Sequence, residues 1–393
     1  IMEEVAYIKE METVYPSLTY PIHTSIITGR YPKDHGVINN TLLQPGRSSP
    51  DWYWHEKYIK GDTLFKAAKR KKLITASLLW PVTAKGNIRY NLPEIFANRS
   101  WQNQIIVSLS NGSPILLANL YKKFGHLIDG ISQPALDSFA LHSAAYVIKT
   151  YRPNLIMIHF TDVDTQRHKY GYSSKEAMDA IERYDKSLGV IIKTLKEINI
   201  WDKTTLIALS DHSQIDVYNS IKLNILFRQH NLIKLDNRGR VKNWKVYLKS
   251  CGGSSYIYLR NKDDTTAQNK VKRILDEFMR TENPGIEKVY SSREAEEFGA
   301  DPNCFLMLEA ERGYHFDESI EGSIIDKASK KADHGFSPKK DNYITSFIAY
   351  GKGIKKGVIL ERDHIINIGP TLAKLMDINL EGSTGKVMKK IVV

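Results

Sequence analysis

Residues 155–168 read LIMIHFTDVDTQRH, a short apolar run followed at once by a polar segment. The run Leu155–Phe160 is typical of a parallel strand that is buried on both faces. In α/β sheets, functional residues lie just beyond the carboxyl ends of such strands. The stretch therefore predicts one strand of an α/β sheet that leads directly into a functional site.

Three further apolar runs have the same character, and they are Leu73–Leu79, Thr205–Leu209 and Tyr343–Ala349. Amphipathic stretches separate the runs, and the clearest of them follows Tyr172. Its apolar residues recur at alternating spacings of four and three, which places them on one helical face; they are Ala177, Ile181, Tyr184, Leu188, Ile191 and Leu195. Alternating strands and helices predict a doubly wound, mostly parallel sheet with helices on both faces.

Residues 213–333 have a different pattern, with Gly252-Gly253 and Asn283-Pro284-Gly285 as turn signals. The predicted elements there are a strand, a helix and a second strand: Tyr256–Arg260, Ala267–Arg280 and Ile286–Tyr290. We interpret 213–333 as an inserted α+β cap subdomain. The catalytic core then comprises 1–212 and 334–393.

The formal net charge is +12, but the basic residues are spread along the chain. A solvated basic surface explains this pattern, and attraction of anionic substrates is the sharper alternative. No nucleic-acid recognition motif is present, so nucleic-acid binding is not expected as the main role. No apolar run approaches the length of about 18 residues that a membrane span needs.

The two cysteines, Cys251 and Cys304, are far apart and do not form a disulfide framework. A reducing compartment, and hence a cytoplasmic location, is the expectation. The first four residues, Ile1–Glu4, resemble the interior of a helix and carry no signal-peptide pattern. We therefore expect that a native N-terminal segment, including the first strand of the core, is missing from this sequence.

Three pairs of metal-type ligands lie beside predicted strands. Asp164 and His168 are four residues apart, so one helical turn brings them to the same face. Asp211-His212 follows the run Thr205–Leu209, and Asp333-His334 precedes the run Tyr343–Ala349. Any one pair is more often a surface ion pair or a loop feature. Together they supply the histidines and carboxylates of a two-metal site.

Asp162 is a competing ligand in the first pair, because it stands two residues before Asp164. The residue types do not separate the two carboxylates. We assign Asp162 a supporting role, orienting the ligands or the following turn.

A nucleophile candidate lies in the segment VYPSLTYPIHTSIITG, residues 14–29. Pro21 suits the first helical turn and Gly29 the position after the last. Thr19 then lies at a helix N-terminus, where the helix dipole favours an alkoxide and a bound phosphate. The simpler interpretation is that Thr19 only caps the helix, and for this segment alone it is the better one.

Several motifs together resemble the nucleotide pyrophosphatase/phosphodiesterase family of the alkaline phosphatase superfamily. The segment Thr19–Asn40, TYPIHTSIITGRYPKDHGVINN, resembles that family's T-F-P-N-H…T-G…H-G-I…N signature. Four more segments resemble its later motifs in the same order: Thr63–Pro81, Asp162–Gly171, Ser210–Ser213 and Asp333–Phe336. The resemblance implies an alkaline-phosphatase-like fold and hydrolysis of phosphate diesters or nucleotide pyrophosphate bonds.

The resemblance also implies roles for individual residues. Thr19 would be the nucleophile and, with Asp211 and His212, would bind one metal. The second metal would be held by Asp164, His168 and His334. Asn40 would donate a hydrogen bond to a phosphoryl oxygen, and Tyr20 and Trp80 would contact the substrate. The expected cofactors are two divalent ions, with zinc favoured and manganese compatible, and the expected partner is a small phosphate ester or nucleotide.

The sequence departs from the family at three places. Ile22 and Ser213 replace the family's Asn and Gly, and the family's metal-binding Asp of an upstream D-G strand has no counterpart. The missing Asp leaves a non-catalytic binding protein as one alternative. A phosphomonoesterase or a phosphonate (C–P) hydrolase is the other, because the same scaffold would give either a nearly identical metal core. A sulfatase is not expected, since the C/S-x-P-x-R motif is absent.

Overall fold

The computed structural model describes residues 2–393. The β-strands are β1 (Ala6–Glu12), β2 (Thr75–Leu78), β3 (Tyr90–Leu92), β4 (Leu155–Ile158), β5 (Thr205–Leu209), β6 (Ile215–Ile221), β7 (Ile233–Leu235), β8 (Val241–Trp244), β9 (Val246–Ser250), β10 (Ser254–Leu259), β11 (Ile286–Ser291), β12 (Leu306–Ala310), β13 (Gly313–Phe316), β14 (Ile325–Lys327), β15 (Ala332–Asp333), β16 (Thr345–Gly351) and β17 (Ile359–His364). The α-helices are α1 (Thr19–Thr28), α2 (Pro32–His35), α3 (Leu64–Arg70), α4 (Gln104–Asn111), α5 (Pro114–Phe124), α6 (Ala135–Tyr151), α7 (Asp162–Tyr170), α8 (Lys175–Glu197), α9 (Leu223–Gln229), α10 (Thr265–Met279), α11 (Ser292–Glu297) and α12 (Ile368–Leu375).

Two sheets form the core of the chain. The first has the strand order β17-β1-β16-β5, and the second has the order β3-β2-β4. Parallel pairs outnumber antiparallel ones by three to two in these sheets. The predicted α/β class and the predominance of parallel pairing are therefore confirmed.

All four predicted apolar runs contain strands, namely β2, β4, β5 and β16. The prediction that all four are parallel is wrong for β16, which runs antiparallel to both β1 and β5. The helix expected at the N-terminus is also wrong, because Met2–Glu4 is one 3₁₀ turn that leads into strand β1. Alternating apolar residues in β1 were too sparse to mark it as a strand, since two exposed residues adjoin in its middle.

Helices cover both sheets. Side chains of α1, α3 and α12 share one hydrophobic cluster with β1 and β16, while α5 and α6 pack against β2. Helix α8 begins after Ser174, whose side chain accepts a hydrogen bond from the backbone of Ala177. None of the helices in the described part of the chain is both long and apolar enough to cross a membrane.

Strands β6–β15 lie within residues 213–333 and pair only with one another in the part of the chain that the structure describes. The predicted strand–helix–strand series corresponds to β10, α10 and β11. A separate hydrophobic cluster is centred on this region. The domain boundaries at 212 and 333 stay a prediction.

Candidate metal centre and nucleophile

Thr19 is the first residue of α1, and its side chain points to a histidine. The helix cap is Leu18, and no side chain caps the helix through a hydrogen bond at this position. The Thr19 hydroxyl Oγ1 instead lies 3.2 Å from His212 Nε2. The simpler interpretation of Thr19 as a helix cap is therefore wrong.

The structure brings Asp164, His168 and His334 together, although His334 is far from the other two in sequence. Asp164 Oδ1 lies 3.4 Å from His168 Nε2 and 3.8 Å from His334 Nε2. His168 Nδ1 lies 2.8 Å from the carbonyl oxygen of Ala332 and donates to it. That bond directs Nε2 of the imidazole toward Asp164, as is usual for histidines that bind metals. We name these three residues cluster A.

Electrostatics in cluster A favour a charged carboxylate. Burial alone would raise the pKa of Asp164, but the neighbouring His168 and His334 hold it well below its usual value. Burial, with His212 as the next contribution, lowers the pKa of His334 to about 3. Near neutral pH, Asp164 is thus ionised and His334 is neutral, which are the protonation states of metal ligands. His168 differs, because burial alone would lower its pKa but Asp164 raises it.

Hydrogen bonds occupy both carboxylate oxygens of Asp162, the competing ligand. Its carboxylate accepts from Arg183 Nε at 2.7 Å and from Gln166 Nε2 at 2.8 Å. The side chain is buried. Its bond to Arg183 holds α7 against α8, and its bond to Gln166 lies within α7. This placement agrees with the supporting role inferred from the sequence.

A second group, cluster B, consists of Asp211, His212 and Thr19. Asp211 Oδ2 lies 3.2 Å from His212 Nε2 and 3.6 Å from His23 Nδ1. Burial would raise the pKa of Asp211, but His212 and His23 lower it. The rings of His212 and His334 stack with centroids 3.9 Å apart, so clusters A and B form one continuous centre.

Two histidines of this centre, His23 and His159, were not predicted. Their ligand atoms lie within 4.8 Å of one another and of Asp211. His23 Nδ1 donates to the carbonyl oxygen of Thr19 at 2.8 Å, and His159 Nδ1 lies 3.2 Å from Glu94 Oε2. The signals were present in the sequence, because His23 stands four residues after Thr19 and His159 interrupts an apolar run.

Asn40 caps α1 from a distance. Its Oδ1 accepts a hydrogen bond from the backbone N–H of Tyr20 at 2.9 Å, so its amide lies beside Thr19. The preceding Asn39 instead donates to Ser250 O and Cys251 Sγ. Asn40 is therefore the asparagine of this pair that faces the centre.

Tyr20 and Trp80, the predicted substrate contacts, both line the cavity but expose little surface, and their roles stay a prediction. Tyr20 is 0% exposed, and its hydroxyl donates to Glu94 Oε1 at 3.2 Å. Trp80 is 6% exposed and packs its ring against His23, with centroids 4.5 Å apart. Trp52 is the more accessible aromatic; it lines the cavity and packs on Tyr20 at 5.2 Å.

The donors fit divalent metals. The ligand atoms of cluster A all lie within 4.8 Å of one another, close to the separation of about 3.4 Å that bonds of about 2.0–2.1 Å to one zinc impose. His334 Nδ1 is buried without a hydrogen-bond partner among the described residues. Both clusters open into a cavity of about 1670 Å³ that Asn40 and Trp52 also line.

The family type I phosphodiesterase / nucleotide pyrophosphatase matches residues 1–337. That range includes every residue of clusters A and B. The chain belongs to this family. The resemblance inferred from the motifs is thereby confirmed, and the members matched are hydrolytic enzymes by name.

Curated relatives of the family are moderately similar. Human ectonucleotide pyrophosphatase/phosphodiesterase family member 1 is 26% identical over 217 residues, which cover 52% of this chain and 20% of that protein. Venom phosphodiesterase 2 of Crotalus adamanteus is 26% identical over 220 residues, covering 53% and 23%. The chain thus spans about a fifth of the length of these relatives.

Solved structures share the fold. Human ectonucleotide pyrophosphatase/phosphodiesterase 5 matches with a TM-score of 0.67 and 17% identity, over 98% of this chain and 90% of that one. The murine protein, in an inactive threonine-to-alanine form in complex with AMP, matches with a TM-score of 0.66 and 16% identity, covering 98% and 90%. The predicted fold is confirmed.

Proposed function

We propose that this chain hydrolyses phosphate diesters or the pyrophosphate bonds of nucleotides through a phosphothreonine at Thr19. The contact of Thr19 Oγ1 with His212 Nε2 at 3.2 Å carries the proposal. The Thr19 hydroxyl thus lies at a helix N-terminus, where clusters A and B meet. It makes no hydrogen bond to the rest of the helix.

Two cations have ligands in this arrangement. Cluster A would hold one ion, and Thr19, Asp211 and His212 would hold the other. Zinc is favoured by the imidazole-rich donors, and manganese is compatible with them. When bound, such ions supply charge that lowers the pKa of the Thr19 hydroxyl and offsets the charge of the phosphoryl oxygens.

The chain's own groups account for the remaining requirements. The Thr19 hydroxyl gives its proton to solvent water and its oxygen attacks phosphorus. The bond from phosphorus to the leaving oxygen breaks in line, and the leaving group takes up a proton from solvent. The Asn40 amide nitrogen and the N–H of Thr19, which has no acceptor within the helix, donate to the phosphoryl oxygens. Water then hydrolyses the phosphothreonine and restores Thr19.

The names of the relatives favour nucleotide substrates. The murine structural neighbour binds AMP in a form made inactive by a threonine-to-alanine change, which is consistent with a threonine nucleophile here. The net charge of +12 favours anionic substrates. Trp52 at the cavity wall is the aromatic that we expect to contact a base.

A substrate panel with zinc or manganese tests the proposal and its alternatives. We expect p-nitrophenyl thymidine monophosphate to be hydrolysed faster than p-nitrophenyl phosphate or phosphonoacetate. A preference for either of the latter two substrates would replace the proposal by a phosphomonoesterase or a phosphonate hydrolase. Metal binding without turnover of any of the three would indicate a binding protein.

A further inference from the structure

The two core sheets end in strands that face one cavity. In the described residues, β4 pairs only with β2 and β5 pairs only with β16. Every residue of β4 and of β5 lines the cavity that also contains the metal centre. Each sheet thus presents an unpaired backbone edge toward this cavity.

The exposure of these strands is unusual for the middle of an α/β fold. All five residues of β5, Thr205–Leu209, are half-buried, as are Ile156 and Ile158 of β4. By contrast, β2 lies between two neighbours, and all of its residues are buried. Strands this apolar are normally covered on both faces and paired on both edges.

Apolar side chains of helices form the walls of the cavity between β4 and β5, which we call the slot. They come from α6, α8 and α12, and they are Ile148, Ile181, Leu188, Ile191, Leu195, Ile368, Leu372 and Leu375. On α8, Ala177 is buried, but Ile181 is 42% exposed. The apolar face of this long helix is therefore covered only in part.

Both strands run toward the metal centre. His159 directly follows β4, Asp211 lies two residues after β5, and their ligand atoms lie within 4.8 Å of each other. The carboxyl ends of β4 and β5 therefore meet at one end of the slot. A single strand running in the same direction can pair with both edges, at the usual spacing of about 4.8 Å on each side.

We propose that the slot binds one β-strand of apolar residues, supplied by polypeptide outside the described residues and running parallel to β4. The strand joins the two sheets in the order β17-β1-β16-β5-strand-β4-β2-β3. About five residues suffice, since β5 has that length and a strand rises about 3.3 Å per residue. Only a peptide backbone satisfies both unpaired edges while its side chains fill apolar walls.

A synthetic peptide added to the chain tests the proposal. The probe is Lys-Gly-Ile-Val-Val-Ile-Val-Gly-Lys with blocked ends, and the control is the same peptide N-methylated at alternate residues, which keeps its apolar surface but removes donors. We expect hydrogen exchange of the β4 and β5 amides to slow at least tenfold with the probe and not with the control. Equal effects of both peptides, no effect of either, or the same stabilisation by dodecanoate would overturn the proposal.

A matched pair of variants on α8 locates the binding. Ile181 lines the slot and is 42% exposed, while Val190 does not line it and is 41% exposed. We expect Ile181→Asp to weaken probe binding at least tenfold and Val190→Asp to leave it unchanged. Equal losses would place the peptide elsewhere. The β4 and β5 amides could instead be protected without peptide and lose that protection when a dimer dissociates. That result would assign the slot to a second copy of the chain and overturn the proposal.

Discussion

His212 and His334 stack with their ring centroids 3.9 Å apart and their planes at 26°. Two protonated imidazoles would repel each other at this distance, and the pKa of His334 is lowered to about 3 by burial and then by His212. Burial and the stacked geometry thus both favour a neutral His334 near neutral pH. A neutral imidazole has a lone pair that can bind a metal.

Removal of metal should destabilise the chain. Binding at 100 times the dissociation constant contributes about 2.7 kcal/mol per site, so we expect EDTA to lower the free energy of unfolding by up to roughly 5 kcal/mol. Titration with zinc should restore it, as measured by urea unfolding. In His334→Ala, about half of the zinc-dependent gain should disappear. An unfolding midpoint that is independent of zinc would contradict the two-metal centre.

Asp162 and Asp164 lie on the same helix and provide matched variants. We expect Asp164→Asn to lose one metal ion per chain while the fold remains. Asp162→Asn should retain the metal but lose about 2 kcal/mol of stability, because it weakens the charged hydrogen bond from Arg183. Elemental analysis and urea unfolding measure the two effects. Loss of metal in Asp162→Asn alone would mean that the ligand assignment is displaced by two residues.

The pair His159–Glu94 predicts a pH dependence of the metal-free chain. Burial opposes the charge, but Glu94 raises the pKa of His159 to about 9. A pKa above the unfolded value of about 6.5 stabilises the fold fully below pH 6.5 and progressively less up to pH 9. The loss is at most about 3 kcal/mol.

The Glu94→Gln variant is the control for this effect. It removes the carboxylate that raises the His159 pKa, so the decline of stability between pH 6.5 and 9 should become much shallower. Unfolding by urea at a series of pH values in EDTA measures both slopes. Parallel slopes for the variant and the parent chain would show that this ion pair does not govern the dependence.

Trp52 and Tyr20 are a partly buried aromatic and a fully buried one beside the same cavity. We expect Trp52→Ala to raise KM for p-nitrophenyl thymidine monophosphate by roughly tenfold, since base–aromatic stacking contributes about 1–3 kcal/mol. KM for bis-p-nitrophenyl phosphate, which carries no base, should change less. Tyr20→Leu, which removes the ring, should leave both KM values almost unchanged in the folded protein, because Tyr20 has no exposed surface. A large KM effect of Tyr20→Leu on the nucleotide substrate alone would support the interpretation made from the sequence.

The sequence predicted the elements of the core better than their pairing. Apolar runs identify β2, β4, β5 and β16 because local burial is visible in the residue types, but the direction of β16 depends on partners distant in the chain. The strand β1 was missed since its charged residues interrupt the alternation. Neither the gap between β4 and β5 nor the exposure of Ile181 is a property of local sequence.

The candidate site shows the same division. Asp164 and His168 are related by helical spacing, and their proximity follows from it. His334 joins them only through the tertiary fold, and the family motifs were needed to assign it. The burial of Tyr20 could not be predicted, because proximity to Thr19 in sequence does not report exposure. His159 lay inside a run whose apolar character concealed it.

Thr19 is the residue on which the proposed chemistry depends. Its side chain makes no capping hydrogen bond, so we expect Thr19→Ala to change stability by less than about 1 kcal/mol. The same variant should lower kcat by roughly 10⁴-fold or more, because it removes the nucleophile. Thr19→Ser should retain part of the activity through its hydroxyl.

Thr24→Ala is the matched control. Thr24 lies on the same helix, but its hydroxyl donates to the carbonyl oxygen of Tyr20, so this variant should remain active. Acid quenching followed by mass spectrometry should find phosphate on Thr19, and a label on Ser17 or Ser25, or full activity in Thr19→Ala, would show that another group attacks phosphorus.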